Sequence, residues 1–305
     1  MKIESLKIDY SQLMDLRIDF AFKLLFTRGN PRLLISLLNA IFANKRIPRV
    51  IKSLTVKNPY LDKESAEDKL SILDIRAELD DGTTILIEMH MYGLGQLKAK
   101  TIRSWARAFG AELEAGENYA DQPPTIIIAF TNGTIEFTEN NENTDTEKIH
   151  RLCMIMDSED FIVFTNAMEL HYINMKAFAK AVNAADSINI NDAEEAMFAR
   201  WLSLITQKEI TNKAIIESAC KEEEIFMAVS TLARQGEDKY ARLDYQRRQD
   251  EIYYHNQTLY KIKHAEQMAE QAEQMAEQEK HRADQAEAEI QRLRQQIAEL
   301  LAKQE

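Results

Sequence analysis

The sequence is poor in the residues on which several large classes of enzyme site depend. Only eight of its 305 residues are glycine, which argues against the glycine-rich phosphate loop of a Rossmann or P-loop domain. Its two cysteines, Cys153 and Cys220, lie far apart with no CxxC spacing, so neither a disulfide framework nor a zinc site is indicated. There is no GxSxG elbow, and the six histidines form no HExxH motif.

Long apolar runs are also missing. No segment approaches the roughly 20 apolar residues that span a bilayer, and Met1 to Tyr10 lacks the apolar stretch of a signal peptide. We therefore expect a cytoplasmic protein with no membrane partner. A hydrophobic fraction of 45% over this length allows one main domain and an appendage.

The charge is unevenly distributed along the chain. The net charge is -12, but Met1 to Leu61 contains eleven Lys or Arg against four Asp or Glu, a local charge of +7 that leaves -19 for the remainder. Binding to phosphates requires local positive potential, so the acidic total does not exclude a nucleic-acid partner.

Hydrophobic periodicity predicts a mixed α/β chain. Helical spacing covers Met14 to Phe26, Arg32 to Phe42 and Gln96 to Glu114. The predicted strands are Arg49 to Lys57, Leu70 to Leu79, Thr83 to Met91, Thr125 to Phe130, Arg151 to Met156 and Leu170 to Ile173. A polar loop is expected at Thr138 to Lys148, and from about Asp192 onward the patterns are helical, including Glu194 to Thr206 and Glu222 to Arg234.

The C-terminal region contains an exact seven-residue repeat, because AEQMAEQ at Ala265 to Gln271 is followed by the same letters at Ala272 to Gln278. This is the period of a coiled coil. Ala269, Ala276, Ala283, Ile290 and Ile297 then occupy position a, and Ala272, Glu279, Ala286, Leu293 and Leu300 occupy position d. Ile at a with Leu at d favours a parallel dimer, while a single solvated helix is the alternative.

The segment Leu70 to Met91 predicts a hairpin that turns at Asp80-Asp81-Gly82. A three-residue loop commonly places its last residue in the left-handed region, which glycine adopts at least cost. This register puts Asp74 opposite Glu88 and Ile72 opposite His90.

The two faces of this hairpin then differ in character. The apolar face carries Leu73, Ile75, Ala77, Leu79, Ile85, Ile87, Met89 and Met91, and the polar face carries Asp74, Arg76, Glu78, Glu88 and His90. Opposed carboxylates with Cβ atoms roughly 5 Å apart repel each other unless a proton or a cation lies between them. Mg²⁺ suits such a pair, and an ordinary hairpin with a wet outer face is the alternative.

Four segments resemble the recombination-promoting nuclease/transposase family of bacteria. They are DFAFKLLF (Asp19 to Phe26), KLSILDIRAELDDG (Lys69 to Gly82), ILIEMHM (Ile85 to Met91) and RSWARAFGAELEAGENY (Arg103 to Tyr119). They occur in order over roughly the first 180 residues. The resemblance implies the PD-(D/E)xK nuclease superfamily, with a mixed sheet flanked by helices and DNA cleavage that depends on Mg²⁺, for which Mn²⁺ is a substitute.

The resemblance also assigns roles to residues. Asp74 and Glu88 correspond to the two metal-binding acids, and His90 stands where the superfamily has lysine and this family usually has glutamine. A neutral imidazole can ligate a metal or accept a proton, and a purely structural histidine is the alternative. Asp19 of the DxxFK pattern is implied near the metal and Lys23 near a phosphate; a surface ion pair between them is the simpler interpretation.

The helix after the hairpin offers further cations. Lys100, Arg103 and Arg107 lie three and four residues apart and form a stripe that suits phosphate contacts, although an ordinary solvated face has the same spacing. Ile102, Ala106, Phe109 and Leu113 are expected to form the core stripe of this helix. Trp105 is expected to be buried, and stacking on a base is the alternative.

The sequence thus predicts three parts: a nuclease-like domain at 1–185, a helical region at 186–240 and a coiled coil at 241–305. The expected function is Mg²⁺-dependent DNA endonuclease activity. The alternative is a degenerate nuclease domain that acts as an oligomeric binding protein.

We expect the full-length chain to form a homodimer through Ile290, Leu293, Ile297 and Leu300. Light scattering at micromolar concentration should give twice the mass of the chain, and truncation near Tyr240 should weaken the dimer because it removes the heptads. A monomeric full-length chain, or an oligomer unchanged by truncation, would contradict this assignment.

Overall fold

A computed structural model describes residues 10–43, 49–57, 60–61, 71–72, 75–92, 94–111, 118–135, 138–139, 142–143, 148–185 and 193–302. The α-helices are Asp19–Arg28 (α1), Pro31–Phe42 (α2), Leu97–Ala111 (α3), Met175–Ala185 (α4), Ala193–Ile205 (α5), Lys213–Ala219 (α6), Glu223–Glu237 (α7) and Lys239–Ala302 (α8). The strands are Leu54–Lys57 (β1), Tyr60–Leu61 (β2), Ser71–Ile72 (β3), Ile75–Leu79 (β4), Thr84–His90 (β5), Thr125–Thr131 (β6), Thr138–Glu139 (β7), Glu142–Asn143 (β8), His150–Met156 (β9) and Val163–Asn174 (β10).

A six-stranded mixed sheet lies at the centre, in the order β1-β4-β5-β6-β10-β9. Strand β6 (TIIIAFT) is buried along its whole length and pairs in parallel with β5 on one side and β10 on the other. The outer pairs, β1 with β4, β4 with β5, and β10 with β9, are antiparallel. A strand of near-continuous apolar residues requires cover on both faces, which confirms the sequence prediction of a buried strand.

Helices provide that cover on both sides of the sheet. The larger core joins residues of α1, α2 and α4 to α7 to one face through Ile85, Ile87, Ile126 and Ile128. The smaller core joins Leu97 and Ala108 of α3 to Leu86, Ile127, Ala129, Leu170 and Tyr172 on the other face. The fold is therefore a mixed sheet between helical layers, as predicted.

Local hydrogen bonds decide where the first two helices begin. The Asp15 carboxylate accepts a hydrogen bond from the backbone N of Arg17, a side-chain turn that competes with helix, so α1 starts at Asp19 and not at Met14. Helix α2 begins as the sequence predicts, because Asn30 caps it and Pro31 fills its first turn.

The predicted strand Arg49 to Lys57 is shorter than expected and occupies only Leu54–Lys57. The preceding residues bond to a helix instead of a strand, since Asn39 of α2 donates to the backbone O of Ile51 at 3.0 Å and accepts from its N at 2.7 Å. Backbone N–H and C=O groups that are hydrogen-bonded to a side chain cannot also form the hydrogen bonds that pair adjacent β-strands.

Three further expectations need correction. Ile72, expected opposite His90, pairs with Tyr60 in the two-stranded β2–β3 sheet. The region 138–148, expected to be a loop, contains the short β7–β8 pair. Strands β9 and β10 are longer than the predicted Arg151 to Met156 and Leu170 to Ile173, and they form an antiparallel pair with register shifts between Val163 and Glu169.

The chain divides into two compact units, residues 1–249 and 250–305. In the first unit, α5, α6 and α7 contribute Trp201, Ile216 and Val229 to the larger core, with no exposed surface on these side chains. Tyr245 also belongs to this unit, because its hydroxyl accepts a hydrogen bond from the N of Asp15 at 2.9 Å. A truncation that removes only the heptads should therefore follow Gln249, not Tyr240.

The second unit is helical throughout residues 250–302 as the tail of α8. Ile290 and Leu293 are 50% and 51% exposed, and the side chains of Ile297 and Leu300 lie outside the described set. None of the described helices combines the length and apolarity that a bilayer crossing requires.

The hairpin turn forms as predicted. Leu79 N donates to Thr83 O and Gly82 N donates to Leu79 O, both at 3.0 Å, and Gly82 has φ of +80°. A Cβ at this position would lie 3.3 Å from Cβ of Pro123. The turn therefore favours glycine on both conformational and steric grounds.

We expect Gly82→Ala to lower the free energy of unfolding by about 1 to 2 kcal/mol, because alanine is strained at positive φ. Gly110→Ala is the matched control: a Cβ there meets no atom within 4 Å, so alanine in α3 should stabilise the protein by about 0.5 to 1 kcal/mol. Urea denaturation of both variants measures these changes. Equal effects of the two substitutions would refute the assigned turn geometry.

Candidate active site

The register of the β4–β5 hairpin is the one derived from its turn. Ile75 pairs with Ile87, Arg76 with Leu86, Ala77 with Ile85, and Glu78 with Thr84. The apolar face is also confirmed, because Ile75, Ala77, Ile85 and Ile87 are fully buried in the larger core. Asp74 and Leu73 lie outside the described residues, so the opposition of Asp74 and Glu88 remains a prediction that extends this ladder by one pair.

Glu88 and His90 lie two residues apart at the C-terminal end of β5. Their side chains therefore share one face of the sheet, opposite the apolar face. They are 5% and 8% exposed. His90 Nε2 donates to Glu88 Oε2 at 2.7 Å. The predicted polar face of the hairpin is therefore covered at this end, and the two side chains form one buried pair.

The charge of Glu88 is stabilised by its surroundings. Burial raises the pKa of its carboxyl, but the hydrogen bond and charge of His90, the positive Lys100 and a hydrogen bond from Ser104 hold that pKa below its ordinary value. A negative carboxylate is thus maintained in an almost fully buried site. Nearby, burial, with further contributions from Cys153 and Glu88, raises the pKa of Tyr172 to about 12 despite its hydrogen bond with Thr101.

Helix α3 brings Lys100 and Ser104 to this site, but it turns a different face to the sheet from the one expected. Its buried residues are Leu97, Thr101, Ser104 and Ala108, whereas Ile102 is 49% exposed. The predicted stripe Ile102, Ala106, Phe109 and Leu113 was wrong, with Leu113 itself outside the described residues. The sheet face beneath α3 is largely apolar but also carries Glu88 and the Tyr172 hydroxyl, to which Ser104 and Thr101 hydrogen-bond.

The three predicted cations of α3 differ in exposure. Lys100 and Arg103 are exposed, and Arg107 is partly buried. Trp105 is also partly buried, donates from Nε1 to Ala167 O at 3.2 Å and stacks on Phe109 with ring centroids 5.0 Å apart. The positive charge of Lys100 acts on the Glu88 carboxylate.

Asp19 and Lys23 lie on α1. The Asp19 carboxylate accepts hydrogen bonds from Arg248 Nε at 2.8 and 2.9 Å and from Arg248 Nη2 at 2.6 Å, a bidentate pair with the start of α8. Lys23 lines a cavity beside Phe20 and Lys57. The aspartate of the DxxFK pattern is therefore engaged by a guanidinium 229 residues away in sequence.

A second buried polar cluster, which the sequence reasoning missed, lies on β10 and the opposite sheet face. Arg49 Nη2 donates to Glu169 Oε1 at 2.5 Å, and His171 Nε2 lies 3.4 Å from Glu169 Oε2. His150 Nε2 is 2.9 Å from His171 Nδ1. The available signal was the repeated Glu-x-His pattern, at positions 88 to 90 and again at 169 to 171.

Among the residues that the structure describes, no three His, Cys, Asp or Glu side chains converge as a metal-binding group. Glu88 and His90 supply two candidate donors, and Asp74 is needed to complete a paired-carboxylate site. This set of donors is compatible with Mg²⁺, which uses one or two carboxylates and completes its shell with water and phosphate oxygens.

Comparison with known families gives one result for most of the chain. Residues 16–261 match the family model described as PD-(D/E)XK nuclease family transposase. The match includes the hairpin, α3 and the whole central sheet. No curated protein and no solved structure matches the chain significantly.

The second cluster predicts a pH-dependent contribution to stability. Burial raises the pKa of Glu169, but His171 and Arg49 outweigh it and hold that pKa below its ordinary value. The ionised carboxylate therefore stabilises the fold above about pH 4.3, and this contribution is lost as pH falls through the folded pKa. Glu169→Gln should lower the free energy of unfolding by about 3 kcal/mol at pH 7, since it leaves Arg49 uncompensated.

Urea denaturation at pH 7 and at successively lower pH tests this expectation. The difference in free energy of unfolding between wild type and Glu169→Gln should decrease as the wild-type carboxylate becomes protonated at low pH. Glu159→Gln, at an exposed turn, is the control and should change stability by less than about 0.5 kcal/mol. A difference in free energy of unfolding that does not change with pH would show that the charge of Glu169 does not stabilise the fold.

Proposed function

Because the chain belongs to the PD-(D/E)XK nuclease family transposases, we propose that it is a Mg²⁺-dependent DNA endonuclease that hydrolyses phosphodiester bonds at Asp74 and Glu88. The observation that carries this proposal is the buried, ionised Glu88 on a hairpin whose register, extended by one pair, puts Asp74 opposite it. A carboxylate kept charged away from water is typical of a site that binds a cation.

In this proposal Asp74 and Glu88 would hold the metal. Mg²⁺ or Mn²⁺ bound there would lower the pKa of a water molecule and stabilise negative charge on the phosphate. His90 lies within hydrogen-bond distance of Glu88 and would fix the orientation of that carboxylate or accept a proton from the attacking water. Asp19 would bind the metal only if its carboxylate first released the guanidinium of Arg248.

DNA would approach along the cations around this site. Lys100 acts on Glu88 from α3, and Arg103 and Arg107 follow it at helical spacing. Lys23 would contact the substrate from α1. Such contacts to phosphate position the strand without reading its sequence.

The C-terminal heptads would join two such chains in a parallel coiled coil. Support comes from the continuous helix α8 and from Ile290 and Leu293, which are half exposed at the a and d positions. A dimer would present two nuclease sites, an arrangement suited to cutting both strands of a duplex.

One observation favours a second candidate function, a non-catalytic binding protein. The almost fully buried Glu88 carboxylate already accepts a hydrogen bond from His90 and is stabilised by the positive charge of Lys100. These partners satisfy a carboxylate without any metal. In this case the coiled coil and the cationic surface would be the functional parts.

Cleavage of supercoiled plasmid by the full-length protein tests the proposal, with Mg²⁺, Mn²⁺ or EDTA. We expect cleavage with either metal and none with EDTA. Asp74→Asn and Glu88→Gln should each lower the rate by at least about 100-fold, because each removes one charge from the metal-binding pair. Glu78→Gln is the matched control: it lies on the same hairpin face, pairs with Lys57 at 3.0 Å and should retain activity.

His90→Gln separates the two candidate functions. If the imidazole orients Glu88 or accepts a proton, this change should slow cleavage by about 100-fold. Faster cleavage would show that histidine impairs the site. A wild type inactive with both metals, and still inactive as His90→Gln, would favour the binding protein. Circular dichroism melts verify that each variant is folded.

A further inference from the structure

A cavity of about 250 Å³ lies between α1 and the edge of the sheet formed by β1 and β4. Its lining has two chemically distinct parts. Apolar surface comes from Phe20, Leu24, Val56 and Ile75, and positive charge comes from Lys23 and Arg28. The cavity thus combines an aromatic and aliphatic floor with cations.

The cavity is close in the fold to the proposed cleavage site. Ile75 is the first residue of β4, directly after Asp74, and pairs with Ile87, the residue before Glu88. Ile75 and Ile87 face the larger core, whereas Glu88 faces α3. The cavity therefore lies at the same end of the hairpin as the candidate metal site, on the other face of the sheet.

The size and lining of the cavity limit what it can hold. Typical pockets for small molecules measure about 300 to 1,000 Å³, so this cavity suits a single compact unit. A planar apolar group attached to an anion matches an apolar floor with cations beside it. A nucleotide has this composition, since its base can stack on an aromatic ring and its phosphate can pair with Lys or Arg.

The cations can reach such a phosphate at low cost. Lys57 also lines the cavity, but its ammonium pairs with Glu78 at 3.0 Å on the other face of the hairpin, so its charge is not part of the cationic lining. Arg28 is exposed at the end of α1, and Lys23 lies five residues before it. These two positive charges are complementary to the phosphates of one strand.

We propose that this cavity binds one unpaired deoxynucleotide of the DNA substrate, with its base against Phe20 and its phosphate at Lys23 and Arg28. The proposal rests on the proposed nuclease function and specifies its substrate: DNA with a single-stranded end or gap next to the bond that is cut. Fully paired DNA cannot place a base there, because its bases are stacked inside the duplex.

Fluorescence anisotropy with the full-length protein in EDTA tests binding separately from cleavage. The probes are a labelled blunt duplex and the same duplex with a single-stranded deoxynucleotide overhang. Wild type should bind the overhang probe about tenfold more tightly, in line with the contribution of one stacked base. Phe20→Leu should remove most of this preference and leave binding to the blunt duplex nearly unchanged. Lys23→Ala should weaken binding of the overhang probe several-fold more than binding of the blunt duplex, because Lys23 also contacts duplex phosphates in the proposed function.

Arg32→Ala is the matched control, because it removes an exposed cation of α2 that pairs with Glu223 and Glu224 and does not line the cavity. It should keep the preference. Phe20→Leu retains apolar volume, and Lys23→Ala alters only the cationic part, so loss of folding in one variant leaves the other as a test.

Four results would overturn the proposal. The first two are equal affinity for both probes, and an equal loss of affinity for both probes in Lys23→Ala. The third is that free deoxyadenosine monophosphate competes as well as an unlabelled overhang duplex, and the fourth is tighter binding of a ribonucleotide overhang than of a deoxynucleotide overhang. The third would assign the cavity to a free nucleotide and the fourth to RNA. A preference for the overhang probe without Mg²⁺-dependent cleavage would support nucleotide binding in the cavity and refute the nuclease function. Cleavage without a preference for the overhang probe would support the nuclease function and refute nucleotide binding in the cavity.

Discussion

Strand β6 is buried on both faces over its whole length, and this burial constrains the rest of the first unit. Its seven residues require parallel neighbours, β5 and β10, and a helical layer on each side of the sheet. Helices α1, α2 and α4 to α7 cover one face, and α3 covers the other. Every polar side chain of β5 or β10 near β6 must therefore find a partner inside the protein.

The two Glu-x-His pairs follow from that constraint. Glu88 with His90, and Glu169 with His171, lie on the strands that flank β6 and on opposite faces of the sheet. Glu169 is fully enclosed and compensated by Arg49, so its role is structural. Glu88 is at the end of the hairpin where Asp74 is expected, and its partners come from α3. The same local pattern thus serves stability on one face and candidate chemistry on the other.

Sequence alone predicted the parts of the fold that depend on local rules. The left-handed Gly82 determined the turn, and the turn determined the pairing of Ile75 with Ile87 and the apolar face. The Asn30 cap and Pro31 likewise gave the start of α2. These features require no knowledge of distant segments.

Sequence failed where distant segments decide the structure. The buried face of α3 includes Thr101 and Ser104, which hydrogen-bond to Tyr172 and Glu88 of the sheet, so apolar periodicity selected Ile102 wrongly. The partner of Asp19 is Arg248, and the partner of Glu169 is Arg49, both more than a hundred residues away. Tertiary contacts of this kind leave no periodic signal in the chain.

The proposed nuclease function requires Asp74 and Glu88 to bind one divalent metal together. The decisive experiment is a crystal structure of the protein with Mn²⁺ and a short DNA duplex, with anomalous scattering data. We expect one anomalous peak within about 2.5 Å of an oxygen of each carboxylate and of a DNA phosphate. A peak coordinated by other side chains, or Glu88 still bonded to His90 with no peak nearby in a crystal containing bound DNA, would contradict it.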